Sequence, residues 1–310
     1  MKGKDVLSAY QFNKEELSVV IDTAAYYEKA LVEKRRLRNM EGKIMAALFY
    51  EPSTRTRLSF ETAMHRLGGS VITIAESLKY QTSSMSKGES LHDSITVVDQ
   101  YVDVLVVRSP INGSAEIAAN AAENPVINAG AGAGQHPTQA LLDVYTILKE
   151  KGTLEGLTVT LLGDLKYGRT VHSLVDFLLL YGCDLIFVSP KELVMPEDIT
   201  NKLCNKGIKI KETDNLLEAV KDTDVLYVTR IQKERFATVK EYESVKNSYI
   251  VDDTIVKKSK EGMLILHPLP RVNEIAVSVD KYPGAAYFRQ AANGVPIRMA
   301  LLSLTTGNVL

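Results

Sequence analysis

Tryptophan is absent from these 310 residues, cysteine occurs only twice, and no apolar run approaches the roughly 18 residues that a membrane-spanning helix needs. The two cysteines, Cys183 and Cys204, form no CxxC pair and no ligand cluster. That excludes a disulfide framework and a cysteine-built metal site, and both side chains read as reduced thiols. There is no excess of positive charge: the formal net charge is −1 and no lysine/arginine block stands out, which argues against a nucleic-acid footprint. An anionic ligand must therefore be met by locally focused positive charge. The N-terminus carries Lys2, Lys4 and Asp5 and lacks a secretory apolar segment. The expectation is a cytoplasmic globular protein with no nucleic-acid and no membrane partner. Hydrophobic residues make up 45% and charged residues 24%, ordinary values for such a chain, and its length predicts about two domains.

What is present is a regular alternation. Asn13-Lys-Glu-Glu16 has the spacing of a capping box and predicts a helix running to about Arg36. Strand-like runs at 43–50, 70–75, 104–108, 125–128, 157–163, 184–189, 207–211, 224–229 and 263–267 then alternate with helical patterns. Several are continuously apolar, as parallel strands covered on both faces are. The fold class expected is α/β, with two doubly wound domains, each a mainly parallel sheet flanked by helices. The stretch Gly130-Ala-Gly-Ala-Gly134 reads as a flexible boundary, giving domains 1–133 and 134–289, with a last helix at about 290–310 returning to the first domain.

Polar residues gather where strands end, which is where open α/β sheets bind ligands. Glu51-Pro-Ser-Thr-Arg-Thr-Arg57 follows the apolar run 43–50 and leads into a helix. Hydroxyls, a guanidinium and free backbone N–H groups converge in that turn, the set a phosphate dianion needs. The plainer alternative is a helix cap followed by surface arginines. Arg108 ends the run 104–108 and, taken alone, reads more readily as a surface charge than as a ligand. His136-Pro-Thr-Gln139 opens a helix, where the dipole disfavours imidazolium, although a lone histidine is usually structural. Arg230 and Gln232 follow one strand and His267-Pro-Leu-Pro270 another, the prolines leaving carbonyls that could face an amine. Gly163-Asp-Leu-Lys-Tyr-Gly168-Arg169-Thr170 nearly matches a P-loop, but Arg169 replaces its lysine and Asp164 would set a carboxylate beside the phosphates, so a nucleotide site is rejected. Ser83, Ser84, Ser86 and Lys87 lie in a serine-rich loop that reads as solvated.

Five segments, in this order, together resemble the aspartate carbamoyltransferase family, within the aspartate/ornithine carbamoyltransferase superfamily. They are Pro52-Ser-Thr-Arg-Thr-Arg57, Ser86-Lys-Gly-Glu89, His136-Pro-Thr-Gln139, Asp164-Leu-Lys-Tyr-Gly-Arg-Thr-Val-His-Ser173 and His267-Pro-Leu-Pro-Arg271. The first and third are shared with ornithine carbamoyltransferases. Arg230-Ile-Gln232 and His267-Pro-Leu-Pro270 discriminate, because the ornithine enzymes carry a cysteine in place of Pro268 and a Ser-Met-Gly signature, and this chain has neither. Arginines also suit a dicarboxylate acceptor and repel a distal ammonium.

The resemblance implies transfer of a carbamoyl group from carbamoyl phosphate to L-aspartate, in pyrimidine biosynthesis, without a metal or organic cofactor. It implies that Ser53, Thr54, Arg55 and Thr56 hold the phosphate and that Arg108 bridges phosphate and carbonyl. Thr56, Arg108 and His136 would steady the developing oxyanion, and Gln139 with the carbonyls of Pro268 and Leu269 would take the carbamoyl amine. Arg169 and Thr170, with Arg230 and Gln232, would hold aspartate. Ser83 and Lys87 would come from a neighbouring subunit of a homotrimer, Lys87 serving catalysis and aspartate alike, and Glu51 would order the arginines. A separate regulatory chain is compatible with the family. The chain departs from the family pattern at Ser109, where a histidine is common, and at Ala131, Ala133 and Gly134, where an acidic residue and polar side chains are common. The rival expectations are another carbamoyltransferase or a non-catalytic homologue.

Overall fold

The computed structural model describes residues 1–75, 88–132, 134–232, 236 and 238–309. Ser83, Ser84, Ser86, Lys87 and Ala133 lie outside the described residues. Two compact units divide the chain, Met1–Leu142 with Asn293–Leu310, and Asp143–Ala292.

The first unit is built on four parallel strands, β1 (Ile44–Phe49), β2 (Ser70–Ala75), β3 (Val104–Ser109) and β4 (Val126–Ala131), in the order β2-β1-β3-β4. Its helices are α1 (Lys14–Val32), α2 (Thr54–Arg66), α3 (Leu91–Asp99) and α4 (Ser114–Ala121). Ala46, Leu48, Leu105 and Val107 on one face of the sheet pack with Leu91 and Ile95 of α3 and Ala118 of α4. The C-terminal helix Gly294–Thr306 packs against α1 and α2, and 11 of its 13 residues are buried, so it belongs to this core on all sides.

The helix opened by the Asn13 capping box stops at Val32, short of Arg36. Lys34 turns left-handed at φ 55° and the N–H of Arg35 bonds back to Ala30 O at 2.9 Å, closing the last turn. The charged tail that follows has no apolar face to hold it on the core.

The second unit begins inside α5 (Pro137–Lys151) and continues through β5 (Thr158–Leu162), α6 (Arg169–Tyr181), β6 (Asp184–Val188), α7 (Glu197–Asn205), β7 (Ile210–Thr213) and α8 (Leu216–Ala219). It closes with β8 (Val225–Val228), α9 (Val239–Val245), α10 (Asp253–Lys258), β9 (Leu264–Leu266) and α11 (Tyr287–Ala292). All five strands are parallel, in the order β7-β6-β5-β8-β9. Leu162, Val188, Val228 and Ile265 from the sheet share a core with Leu216, Ile255 and Tyr287. Strand β7 starts later than the apolar pattern suggests, because Gly207, at φ 77°, and the bond from Ile208 N to Leu203 O at 3.1 Å still belong to the close of α7.

Gly130, Gly132 and Gly134 of the glycine-rich stretch are each tied down by a hydrogen bond from the backbone N–H. Strand β4 runs through Ala131, Gly132 N donates to Ser109 O at 2.9 Å, and Ala131 N donates to Gln135 O at 3.3 Å. Gly132 sits at φ 51° where a Cβ would overlap Oδ1 of Asn112, so the turn needs glycine there. Ser109, buried, accepts the N–H of Ile111 on its hydroxyl at 3.2 Å and tightens the same corner. The chain divides later, between Leu142 and Asp143 in α5.

No helix among the described residues is long and apolar enough to cross a membrane, and no group of three His, Cys, Asp or Glu among them could hold a metal ion. Cys183 is buried and Cys204 exposed. Burial, with the Asp184 charge, pushes the Cys183 thiol up to about 12. A thiol that holds its proton is a poor nucleophile. Labelling with an aromatic disulfide at pH 8 should therefore modify one cysteine in the native protein and both after denaturation. Rapid native labelling of Cys183 would contradict the packing described.

Candidate functional site

In the first unit all four strands run parallel, but strand order reverses between β1 and β3: β2 is added on one side of β1, and β3 with β4 on the other, which makes the switch point at which open α/β sheets leave a crevice. Phe49 pairs in register with Arg108, and Tyr50 N donates to Arg108 O at 2.8 Å, so the two strand ends lie side by side. Arg108 is 8% exposed; its Nη2 meets Glu51 Oε2 at 2.8 Å and its Nη1 donates to Ala129 O at 3.0 Å. A carboxylate and a carbonyl thus fix its orientation from two neighbouring strands. Glu51 pairs with Arg108 as the sequence suggested.

Ser53 adopts an extended conformation (φ −157°, ψ 96°) and its side chain does not cap α2. Arg57 N starts the helical ladder by donating to Ser53 O at 3.2 Å. The N–H groups before it have no partner within the helix, and no acidic residue lies in the first turn to offset the dipole. Thr56 is buried there, while Thr54 and Arg55 are exposed. The Arg55 side chain stays open on one side, yet the surrounding protein removes enough water to lower its pKa below the usual arginine value. Helix α5, beyond β4, likewise has no acid in its first turn. His136, buried, precedes it, and its carbonyl accepts the N–H groups of Gln139 at 3.0 Å and Ala140 at 3.3 Å. Residues 53–56, Arg108 near the end of β3, and His136 with Gln139 therefore lie at or just beyond the carboxyl ends of three adjacent strands.

The second unit uses the same device. Residues 163–170, residues 230–232 and residues 267–269 follow β5, β8 and β9, again three adjacent strands. Thr229 stitches the first two together: its N–H and hydroxyl both donate to Leu162 O, at 2.8 and 3.0 Å, and its Oγ1 accepts Asp164 N at 3.0 Å. Arg169 and Thr170 open α6, and Arg230 and Gln232 stand just past Thr229, all half-buried. Pro268 and Leu269 are half-buried after β9.

The near-P-loop is filled from within. Asp164 is wholly buried, its Oδ1 accepts Tyr167 N at 2.9 Å, and the backbone N–H groups of Gln232 and Lys166 also favour its ionised form. Burial nonetheless outweighs these and raises its pKa. Amides that a nucleotide phosphate would need are turned to a carboxylate.

Reasoning from sequence overlooked Asp143. It is fully buried in α5, where its two oxygens accept Tyr227 OH at 2.8 Å and Gln290 Nε2 at 2.6 Å. A carboxylate inside the apolar run Ala140-Leu-Leu-Asp143-Val-Tyr was the available signal, because a charge in such a run is rarely buried without partners.

Residues 4–149 match the aspartate/ornithine carbamoyltransferase carbamoyl-P binding domain, and residues 155–305 match the Asp/Orn binding domain of the same family. The aspartate carbamoyltransferase catalytic subunit of Thermococcus onnurineus is 54% identical over 306 residues, 99% of this chain and 98% of the relative. The catalytic subunit of M. jannaschii aspartate transcarbamoylase superposes with a TM-score of 0.89 at 51% identity, covering 97% of both chains. Trypanosoma cruzi aspartate transcarbamoylase in complex with carbamoyl phosphate superposes with a TM-score of 0.92 at 42% identity, over 98% of this chain and 96% of that one.

Proposed function

The chain belongs to the aspartate/ornithine carbamoyltransferase family, and we propose which of its residues serve each substrate. The reaction is transfer of the carbamoyl group from carbamoyl phosphate to the amine of L-aspartate, giving N-carbamoyl-L-aspartate and phosphate, the committed step of de novo pyrimidine biosynthesis. The observation that carries the assignment of residues is their concentration after adjacent strand ends, in two clusters of different chemistry. One offers helix N-termini, hydroxyls, Arg55 and Arg108; the other offers Arg169, Arg230 and Gln232.

Ser53, Thr54, Arg55 and Thr56 hold the phosphate, and Arg108 reaches both phosphate and carbonyl oxygen. The neutral amine of aspartate attacks the carbamoyl carbon, negative charge grows on the carbonyl oxygen, and Thr56, Arg108 and His136 stabilise it before phosphate leaves. Gln139 and the carbonyls of Pro268 and Leu269 hold the carbamoyl amine. Arg169, Thr170, Arg230 and Gln232 take the aspartate carboxylates by charge-assisted hydrogen bonds. Two anions are held together by these cations, so positioning and charge stabilisation supply the rate without an enzyme nucleophile.

The chain acts as a cytoplasmic homotrimer in which Ser83 and Lys87 enter a neighbour's site, Lys87 reaching aspartate. The exposed edge strand β2, with Ile72 44% exposed, leads straight into the segment that carries them and supports this reading. The name "catalytic subunit" borne by the Thermococcus relative supports a separate regulatory chain.

The test is product formation from carbamoyl phosphate with L-aspartate or L-ornithine. N-carbamoyl-aspartate is expected, and Arg230→Ala should raise the KM for aspartate about a hundredfold while leaving that for carbamoyl phosphate nearly unchanged, as the loss of a charge-assisted contact to one substrate does. Product with ornithine alone, or an equal rise in both KM values, would overturn the assignment.

A further inference from the structure

The loop after β9 contains a backbone conformation that has to be held in place. Leu269 lies at φ 53°, in the left-handed region that side-chain-bearing residues seldom occupy. Its N–H donates to Nδ1 of His267, two residues earlier, at 2.7 Å. A ring nitrogen that accepts a hydrogen bond carries no proton, so the neutral imidazole must be protonated on Nε2. That nitrogen faces Oε1 of Glu274 at 2.7 Å. The other carboxylate oxygen, Oε2, accepts the N–H groups of Val272 at 3.1 Å and Asn273 at 3.0 Å. Burial works to raise the Glu274 pKa, but the interaction with His267 and the backbone N–H groups of Glu274 and Val272 outweigh it and bring it below the usual carboxylate value. Behind the ring, His267 N donates to Gln290 Oε1 at 2.8 Å, and Gln290 Nε2 donates to Asp143 Oδ1 at 2.6 Å. His267 and Gln290 are each 1% exposed, Asp143 is fully buried and Glu274 is 8% exposed. The donor and acceptor roles therefore form a fixed sequence from α5 to the loop.

We propose that His267 is a positioning residue for carbamoyl transfer, acting through Leu269. Its Nδ1 pins the backbone whose Pro268 and Leu269 carbonyls take the carbamoyl amine, and Glu274 imposes the tautomer that leaves Nδ1 able to accept. The proposal rests on the assignment of those carbonyls to carbamoyl phosphate made above. It differs from a purely stabilising role in one respect: which of the two ring nitrogens is replaced decides the effect on catalysis.

In His267→Asn the Oδ1 atom stands near the Nδ1 position and can still accept from Leu269, while the bond to Glu274 is lost. His267→Gln does the reverse, reaching Glu274 but offering Leu269 no acceptor. Both remove one buried hydrogen bond, so both should lower the unfolding midpoint to a similar extent. Catalysis should separate them. His267→Gln should lose about a hundredfold in kcat/KM for carbamoyl phosphate, the cost of letting a contact drift by about 1 Å. His267→Asn should stay within about tenfold of the parent.

Glu274→Gln supplies the second arm. Its amide oxygen keeps the bonds from Val272 and Asn273, so its NH2 points at Nε2 and drives the ring proton to Nδ1. Nitrogen-15 spectra of histidine-labelled protein, with the His267 signals assigned by their absence in His267→Asn, should show the Nε2–H form in the parent and the Nδ1–H form in Glu274→Gln. Activity should fall in that variant although His267 is unchanged. Equal loss of activity in the two His267 variants, tracking their unfolding midpoints, would overturn the proposal, and so would an Nδ1–H ring in the parent protein. A parent that carbamoylates no aspartate would instead overturn the substrate assignment, with the tautomer reading unaffected, so the two failures are distinguishable.

Discussion

Arg55→Ala lowers kcat/KM for carbamoyl phosphate by a factor on the order of 10³ and leaves the unfolding midpoint almost unchanged. The two halves of that expectation have separate causes. Among the described residues Arg55 takes part in no ion pair, and it is exposed in the first turn of α2. Removing an exposed side chain without such partners changes stability by about 0.5 kcal/mol or less. Function responds differently, because the uncapped N-terminus of α2 presents dipoles and N–H groups but no full charge of its own. On the proposed assignment, Arg55 would supply that full charge where the leaving phosphate accumulates it.

Arg57, which meets Glu61 at 3.8 Å on the same helix, is the control. Its replacement by Ala should cost less than tenfold in activity, as a solvent-exposed ion pair away from the reacting groups contributes little. Equal effects at the two positions would return the segment to the plainer reading of a helix cap followed by surface arginines. Steady-state kinetics and thermal unfolding on the same preparations decide it.

Much of the fold was legible because parallel strands covered on both faces must be continuously apolar. Val104-Leu-Val-Val107 and Leu157-Thr-Val-Thr-Leu-Leu162 announce β3 and β5 for that reason. The place where the chain divides was not legible. Helix α5 is apolar on both sides of Leu142, and nothing in its pattern marks a change of core. The glycines at 130, 132 and 134 drew attention instead, since sequence alone does not separate a glycine used for freedom from one used for close approach. Gly132 is of the second kind, set against Asn112.

The candidate site divides in the same way. Residues 53–56 and 136–139 could be picked out because chemistry-bearing side chains there are consecutive. The partnership of His267 with Glu274 spans a loop and is visible only once the chain bends back, and Glu274 in sequence resembles any surface carboxylate. Asp143 and Gln290 meet across 147 positions of sequence, beyond the reach of any local pattern.

Gly163→Ala should destabilise the protein by about 3 kcal/mol or more, through two costs that arise at one atom. Gly163 closes β5 at φ 112°, a conformation essentially reserved for glycine. A Cβ there would overlap the backbone carbonyl oxygen of Thr229 and lie 2.8 Å from its Oγ1. Backbone cannot swing aside as a side-chain tip can. Gly163 N is also bonded to Val188 O at 3.0 Å, so the glycine is held from the side of β6 as well. Relief must come from moving Thr229, whose N–H and hydroxyl both bind Leu162 O. Thr229 immediately precedes Arg230, so a displaced β8 end carries the proposed aspartate ligand with it.

Gly182→Ala separates the two costs. Gly182, at φ 65°, has open space around its would-be Cβ and contributes the conformational penalty alone, about 1 kcal/mol. The expected ordering is a fall of several degrees for Gly182→Ala and roughly 10 °C for Gly163→Ala, using the usual few degrees per kcal/mol for domains near this size. In the folded fraction only Gly163→Ala should raise the KM for aspartate. Equal unfolding midpoints for the two variants would mean that the approach of Gly163 to Thr229 does not constrain the end of β8. The position of Arg230 would then have to be set by the residues that follow it.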